Sequence, residues 1–246
     1  MSTFVVSLRR LIVLFLGLST ILPVLAFAAL APIEQLQVYA TRATGSLLLL
    51  RGEGFQSGYQ TRLDEDIRAL EQAMRALPQA DESLYRRQST LIEALRRGVA
   101  FGPGEESMPW RYPEELAQAL VDFLIALREH PHASPTEVAA KVEYLAVQYF
   151  SRAYFGNFEI ARGQPDIYLG QDERTLVPAI DREMVELARA NPKLTKIQTR
   201  WHYLRSALLD MNSQSSALVS ASGRPFAPTT VDRHTRALSE EWIALD

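Results

Sequence analysis

The chain has 246 residues, with 26 lysines and arginines against 29 aspartates and glutamates, a formal charge of -3, 47% hydrophobic residues and no cysteine. That charge is too near neutral for a general nucleic-acid binder, and the apolar fraction excludes disorder along the whole chain. Without cysteine there is no disulfide scaffold, thiol nucleophile, iron-sulfur ligation, cysteine zinc site or lipobox.

Residues 1–10 end in Arg9-Arg10, and the 21 residues from Leu11 to Ala31 carry no charge. A run of that length spans a hydrocarbon core of about 30 Å as a helix, and the basic pair before it favours a cytoplasmic N-terminus. The same segment also reads as a cleaved signal peptide, with a basic start, Pro23 as a helix breaker and Ala26-Phe27-Ala28 as a small-x-small cleavage site. A third reading, a helix buried in a cytosolic core, needs apolar contacts all the way round. The expected organisation is an anchor or signal peptide over 1–31 and one extracytoplasmic helical domain over 32–246, with no second span after it. Arginine supplies 23 of the 26 cations, a bacterial bias. The expected location is therefore the bacterial cell envelope, facing the periplasm. There the chain is anchored in the inner membrane through residues 11–31, or soluble if cleaved near Ala28.

Beyond Pro32 apolar residues recur at helical spacing and no stretch sustains a period of two, which predicts an all-α, up-and-down multi-helix bundle behind a single N-terminal hydrophobic helix. The first helix of the domain places Ile33, Leu36, Ala40, Ala43, Leu47 and Leu50 on one seam, with small alanines where a neighbour approaches closely. Gly52, Gly54 and Gly58 favour a break before a second seam of Leu63, Ile67, Leu70, Met74 and Leu77, whose phase, one position off the first, is also that of a single kinked helix. A short third helix bears Leu84, Gln88, Leu91 and Leu95 and ends at Gly98, with a loop through Pro113; Leu116, Leu120, Phe123 and Leu127 mark the fourth. Ser134, Pro135 and Glu137 form a capping box that starts a fifth helix running to about Ala161. After a loop with Gly163, Pro165 and Gly170, a sixth helix bears Ile180, Met184 and Leu187, and Asn191-Pro192 opens a seventh. That seventh helix carries a three-four rhythm from Leu194 through Trp201 and Leu208 to Leu218. A last helix follows the turn 223–228 with Val231, His234, Leu238, Trp242 and Leu245.

Motifs that carry a mechanism are missing. No lysine follows a glycine as a phosphate loop requires, and there is no GxSxG elbow, HExxH helix or acidic calcium loop. Glu129 and His132 stand three apart, the offset of a di-iron pair, but Pro131 lies between them at a helix end where such a pair needs a continuous helix, so the segment reads as an exposed turn with His130 near a helix C-terminus. His202 and His234 read as packing residues. The doublets Asp81-Glu82, Glu105-Glu106, Glu114-Glu115 and Glu240-Glu241 read as solvated faces or helix-start charges. No metal site, cofactor, catalytic residue or nucleic-acid partner is expected, and the chain does not read as an enzyme.

Two places invite a functional reading. In the fifth helix, Tyr144, Tyr149, Phe150, Tyr154, Phe155 and Phe158 crowd around Arg152. If Arg152 projects inward, a small anionic ligand supplies its acceptor, with Tyr149 and Tyr154 orienting it and Arg42 as a second candidate cation. The alternative puts Arg152 on an exposed stripe or pairs it with a carboxylate such as Glu159. The loops bearing Trp110, Tyr112 and Phe226 are either anchors for a protein partner or plugs that fold back over the end of the bundle.

The segment Lys196 to Val219, KIQTRWHYLRSALLDMNSQSSALV, resembles the long closing helix of the helical extracytoplasmic modules of type IV pilus chemotaxis transducers and related bacterial sensor proteins. Ala43-Thr44-Gly45-Ser46 stands where that family tends to carry an Arg- and Gln-rich stretch, and no cytoplasmic output domain accompanies it. The resemblance implies ligand sensing or protein contact outside the cytoplasm. Two functions follow as expectations. The first is a non-enzymatic, membrane-anchored interaction module or accessory subunit of a cell-envelope complex with a protein partner there. The second is a periplasmic small-ligand-binding or sensor-like domain without its own output domain.

Overall fold

A computed structural model describes residues 30–133, 136–155, 167–209 and 228–245, and every regular element among them is helical. The helices are α1 (Pro32–Gly52), α2 (Ser57–Ala76), α3 (Glu82–Ala100), α4 (Tyr112–Arg128), α5 (Val138–Phe155), α6 (Glu173–Ala190), α7 (Thr195–Leu209) and α8 (Pro228–Ile243). Short 3-10 turns occur at Glu105–Ser107 and Pro192–Leu194. Residues 11–29 of the expected anchor 11–31 lie outside the described residues, as do the Ser134-Pro135 cap, the continuations of the fifth and seventh helices, and the turn bearing Phe226. No described helix is long and apolar enough to cross a membrane.

Local chemistry accounts for most boundaries. After α1 the chain turns through Gly54 and Phe55, both at positive φ (82° and 58°), which is the break predicted from the glycines. The Asp81 carboxylate caps α3 by accepting from the Leu84 N–H at 2.7 Å. Asp172 and Asn191 do the same for α6 and the 3-10 turn before α7, accepting from Arg174 N at 3.1 Å and Lys193 N at 3.0 Å. Glu114 and Glu115 lie in the first turn of α4, where acidic side chains complement the helix dipole.

Successive helices run antiparallel wherever side-chain pairs fix their direction. Lys141 of α5 meets Glu183 of α6 while Gln148 reaches the Gln171 carbonyl before that helix starts. Lys196 and Arg200 of α7 meet Glu241 of α8 while Tyr203 packs on His234. By contrast α1 and α5 lie side by side in parallel: Gln37 meets Glu137, Arg42 meets Glu143, and Gly52 faces Tyr154. The bundle is organised around α1, which packs against α2, α3, α4, α5 and α8.

That centrality corrects the reading of α1 as a one-seam helix. Every residue from Thr41 to Leu50 is buried, polar positions included. A helix surrounded on all sides has no solvent face to offer its threonines, serine and arginine. Thr41 and Thr44 donate to the carbonyls of Gln37 and Ala40, four residues back, at 2.7 and 3.0 Å. Gly45 gives Phe150 room, since a Cβ there would stand 3.2 Å from its ring.

The third helix also runs further than predicted. Gly98 does not end α3, which continues to Ala100. A Cβ at Gly98 would lie 2.1 Å from the Tyr112 hydroxyl and 2.6 Å from Leu47 Cδ2, so glycine is present for close approach. Tyr112, fully buried at the start of α4, donates from its hydroxyl to the Ala94 carbonyl at 2.8 Å. Gly98→Ala gains about 1 kcal/mol of helix propensity but overpacks this contact at a cost of about 1–3 kcal/mol. The expected outcome is a lower Tm by calorimetry, together with a blue-shifted tyrosine absorption difference spectrum if Tyr112 is expelled into water.

Candidate functional site

Three arginines and three carboxylates meet inside the bundle. Arg42 of α1, buried at 7% exposure, donates from Nε to Glu143 of α5 at 2.8 Å and from Nη2 to Ser239 of α8 at 2.6 Å and the Arg236 carbonyl at 3.1 Å. One turn further along α1, Ser46 donates to Asp66 of α2 at 2.6 Å. Asp66 also accepts from Arg236 of α8 at 2.9 and 2.6 Å. Arg236 pairs again with Asp232 at 2.8 Å, and Asp232 accepts from Arg62 of α2. Burial alone would depress Arg236, but the hydrogen bond and charge of Asp66, with Asp232 and Glu143, hold its guanidinium above the usual range. Arg42, Arg62 and Arg236 face Glu143, Asp66 and Asp232 along the seam, and Arg42 Nη1 also reaches the exposed Glu240 at 3.6 Å.

A second polar cluster sits where α1 and α5 begin. Glu34, 3% exposed, accepts from the Ala139 N–H at 3.0 Å, so an α1 carboxyl caps a helix that starts about a hundred residues later. Glu137 accepts from Gln37 at 2.7 Å and Arg128 at 3.2 Å, and Arg128 stands over the Tyr168 ring at 5.5 Å. Gln37 Oε1, Arg128 Nη1 and the Tyr168 hydroxyl are buried there without a hydrogen-bond partner among the described residues. Burial pushes Glu34 up to about 8, Glu137 adding to the rise and the Ala139 and Ala140 amides and Lys141 opposing it.

On the outside, α3 and α4 leave a solvent-open groove of about 1090 Å³. Its floor includes Ala94 and Ala119, and Trp110 stands at one end with 80% of its surface exposed. The Arg111 guanidinium lies 4.8 Å from the Trp110 ring centroid. Arg97 and Glu115 pair across the groove at 2.9 Å, and Glu93 and Asp122 mark its other half.

The expected ligand residues do not converge. Arg152 is exposed, on the stripe of α5 that faces solvent, so it is not the inward cation of an anion site. Tyr149 is buried and packs edge-on against Phe150. Tyr154 donates to Glu53 at 2.5 Å and packs over Gly52. Arg42 is ten residues from Gly52 along α1, about 15 Å at 1.5 Å per residue, and its acceptors are protein groups. The expected partner residues divide as well. Trp110 is exposed as an anchor would be, Tyr112 is buried with its hydroxyl satisfied and offers nothing to a partner, and Phe226 lies outside the described residues. Glu241 is no solvated-face residue, because Lys196 and Arg200 hold it at 2.6 and 2.9 Å and, against burial, keep it below the usual carboxylate range. Trp201 is buried and its Nε1–H donates to Asp181 at 2.7 Å.

No group of three or more histidine, aspartate or glutamate side chains suited to a metal occurs among the described residues. Sequence reasoning flagged Arg42 but missed Asp66, Glu143, Asp232 and Arg236, whose only local mark is placement on the inner side of amphipathic helices. Removing one partner of a buried pair leaves the other charge uncompensated, at a cost of about 3–5 kcal/mol. Arg42→Ala is therefore expected to lower unfolding free energy in urea by that amount, whereas Arg42→Met with Glu143→Gln recovers most of the loss. Neither a family model, a curated protein nor a solved structure matches this chain.

Proposed function

We propose that the protein is a non-enzymatic interaction module of the bacterial cell envelope, anchored at the inner membrane through residues 11–31, facing the periplasm and docking a protein partner in the α3/α4 groove. The observation that carries this reading is Trp110, 80% exposed at the end of that groove with Arg111 stacked on it. Tryptophan and arginine dominate interface energetics, and an indole left in water forfeits about 2 kcal/mol or more that a partner recovers.

The charge pattern supports one kind of partner. Among the described residues Arg111 has no carboxylate within ion-pair distance, and at the other half of the groove, which Arg96 also lines, Glu93 and Asp122 have no cation within that distance. The occupant is a segment of another envelope protein that sets an acidic side chain beside Trp110 and a basic one beside Asp122, with small or apolar residues over Ala94 and Ala119. The residues expected to hold a small anion are dispersed, so no geometry supports the sensor reading equally.

Two measurements test the proposal. Untagged full-length chain expressed in a bacterium is expected to stay with carbonate-washed membranes and retain Met1; soluble protein beginning near Ala29 replaces the anchor with a cleaved signal. A photocrosslinking amino acid at position 110 is expected to give one defined adduct in intact cells, and the same group at exposed Tyr203 none. An adduct at twice the monomer mass makes the occupant a second copy and overturns the heterologous partner; no adduct overturns the docking site.

A further inference from the structure

We propose that the junction between the first turns of α1 and α5 is a proton-controlled latch, closed while Glu34 carries its proton and progressively weakened as pH rises. The latch does not depend on what occupies the α3/α4 groove.

Glu34 is buried, and its Oε1 accepts from the Ala139 N–H at 3.0 Å, tying the start of α1 to the start of α5. No cation lies within ion-pair distance of it among the described residues, because the two cations nearby are committed elsewhere. Arg128 of α4 holds Glu137 at 3.2 Å, and Lys141 of α5 holds Glu183 of α6 at 2.6 and 2.8 Å. The remaining ionisable neighbours, the Glu137 carboxylate and the Tyr168 phenol, stabilise no negative charge by pairing. As a neutral acid Glu34 caps α5 without an unpaired charge. As a carboxylate it sits beside Glu137 in a poorly solvated site, and water or local opening must compensate.

The unpartnered atoms Gln37 Oε1, Arg128 Nη1 and the Tyr168 hydroxyl surround the same junction and mark where water enters when it opens. Since burial raises the folded pKa of Glu34 to about 8, above the ordinary glutamate value of about 4.3, the folded junction holds a proton that the opened one releases. The Glu34 contribution is therefore fully present below about pH 4.3, falls as pH rises toward 8, and is flat above that.

Amide hydrogen exchange of the full chain, corrected for the intrinsic pH dependence of exchange, tests the latch at Ala139 to Lys141. Protection is expected to fall by up to about tenfold per pH unit between about pH 5 and 8, the slope for one linked proton, and to level off above. Glu34→Gln, which keeps an acceptor and cannot ionise, is expected to remove that slope and to match or exceed the original chain in Tm above pH 8. Protection that is independent of pH, or a slope that survives in Glu34→Gln, overturns the proposal. Should that variant fail to fold, carboxyl-carbon NMR of the unaltered protein decides directly: a Glu34 transition above about pH 6.5 supports the latch, and one at or below it overturns it.

Discussion

Burying Arg42 sets the terms for the rest of the bundle. A guanidinium in the middle of a central helix is tolerable only where acceptors reach it from other elements, and here they come from α5 and α8. Ser46, one turn on, imposes a similar demand, met by Asp66 of α2 and Arg236 of α8. Four helices are thus brought into one register by hydrogen bonds that a slip of a single turn would break. The apolar contacts around them, Leu47 to Leu50 on α1 or Leu120 to Leu127 on α4, supply most of the driving force but tolerate sliding far better.

The internal seam contributes specificity more than net stability. Desolvating the buried ion pairs cancels much of their mutual attraction, so an apolar replacement of the whole set costs little, whereas a lone survivor is expensive. Dense hydrogen bonding makes the seam structural; it is closed at one end, where Arg42 and Glu143 expose 6% and 5% of their side chains, and opens at the other, where Arg62 exposes 37%. The surface groove has the opposite character. Its ion pair of Arg97 and Glu115 is about half exposed and contributes little, while Trp110 remains uncovered.

Much of the fold was legible in sequence. Helical periodicity marked the apolar side of each helix, and Leu63, Leu91, Leu120, Ile180, Leu204 and Leu238 are all buried where it placed them. Turn chemistry located the break after Gly52 and the cap at Asn191. Gly98 misled because a glycine has two uses: ending a helix, or letting something approach it, here a tyrosine hydroxyl fourteen residues later. Trp110 and Tyr112 looked alike as loop aromatics and came out opposite, since Tyr112 is the first residue of α4 and turns inward while Trp110 precedes it.

By itself the sequence determined the all-α class, most helix limits and the absence of the common catalytic motifs, because those depend on spacing and on residue types within a few turns. Tertiary structure alone decided that α1 is central, that its polar side is internal, and that Arg42 is paired while Arg152 is exposed. The reason is range. Glu143 is 101 residues from Arg42 and Ser239 is 197, so no local pattern records that they meet. Glu34 looks like an ordinary acidic residue in a first helical turn, and only the parallel start of α5 beside it makes it a buried cap with a displaced proton affinity.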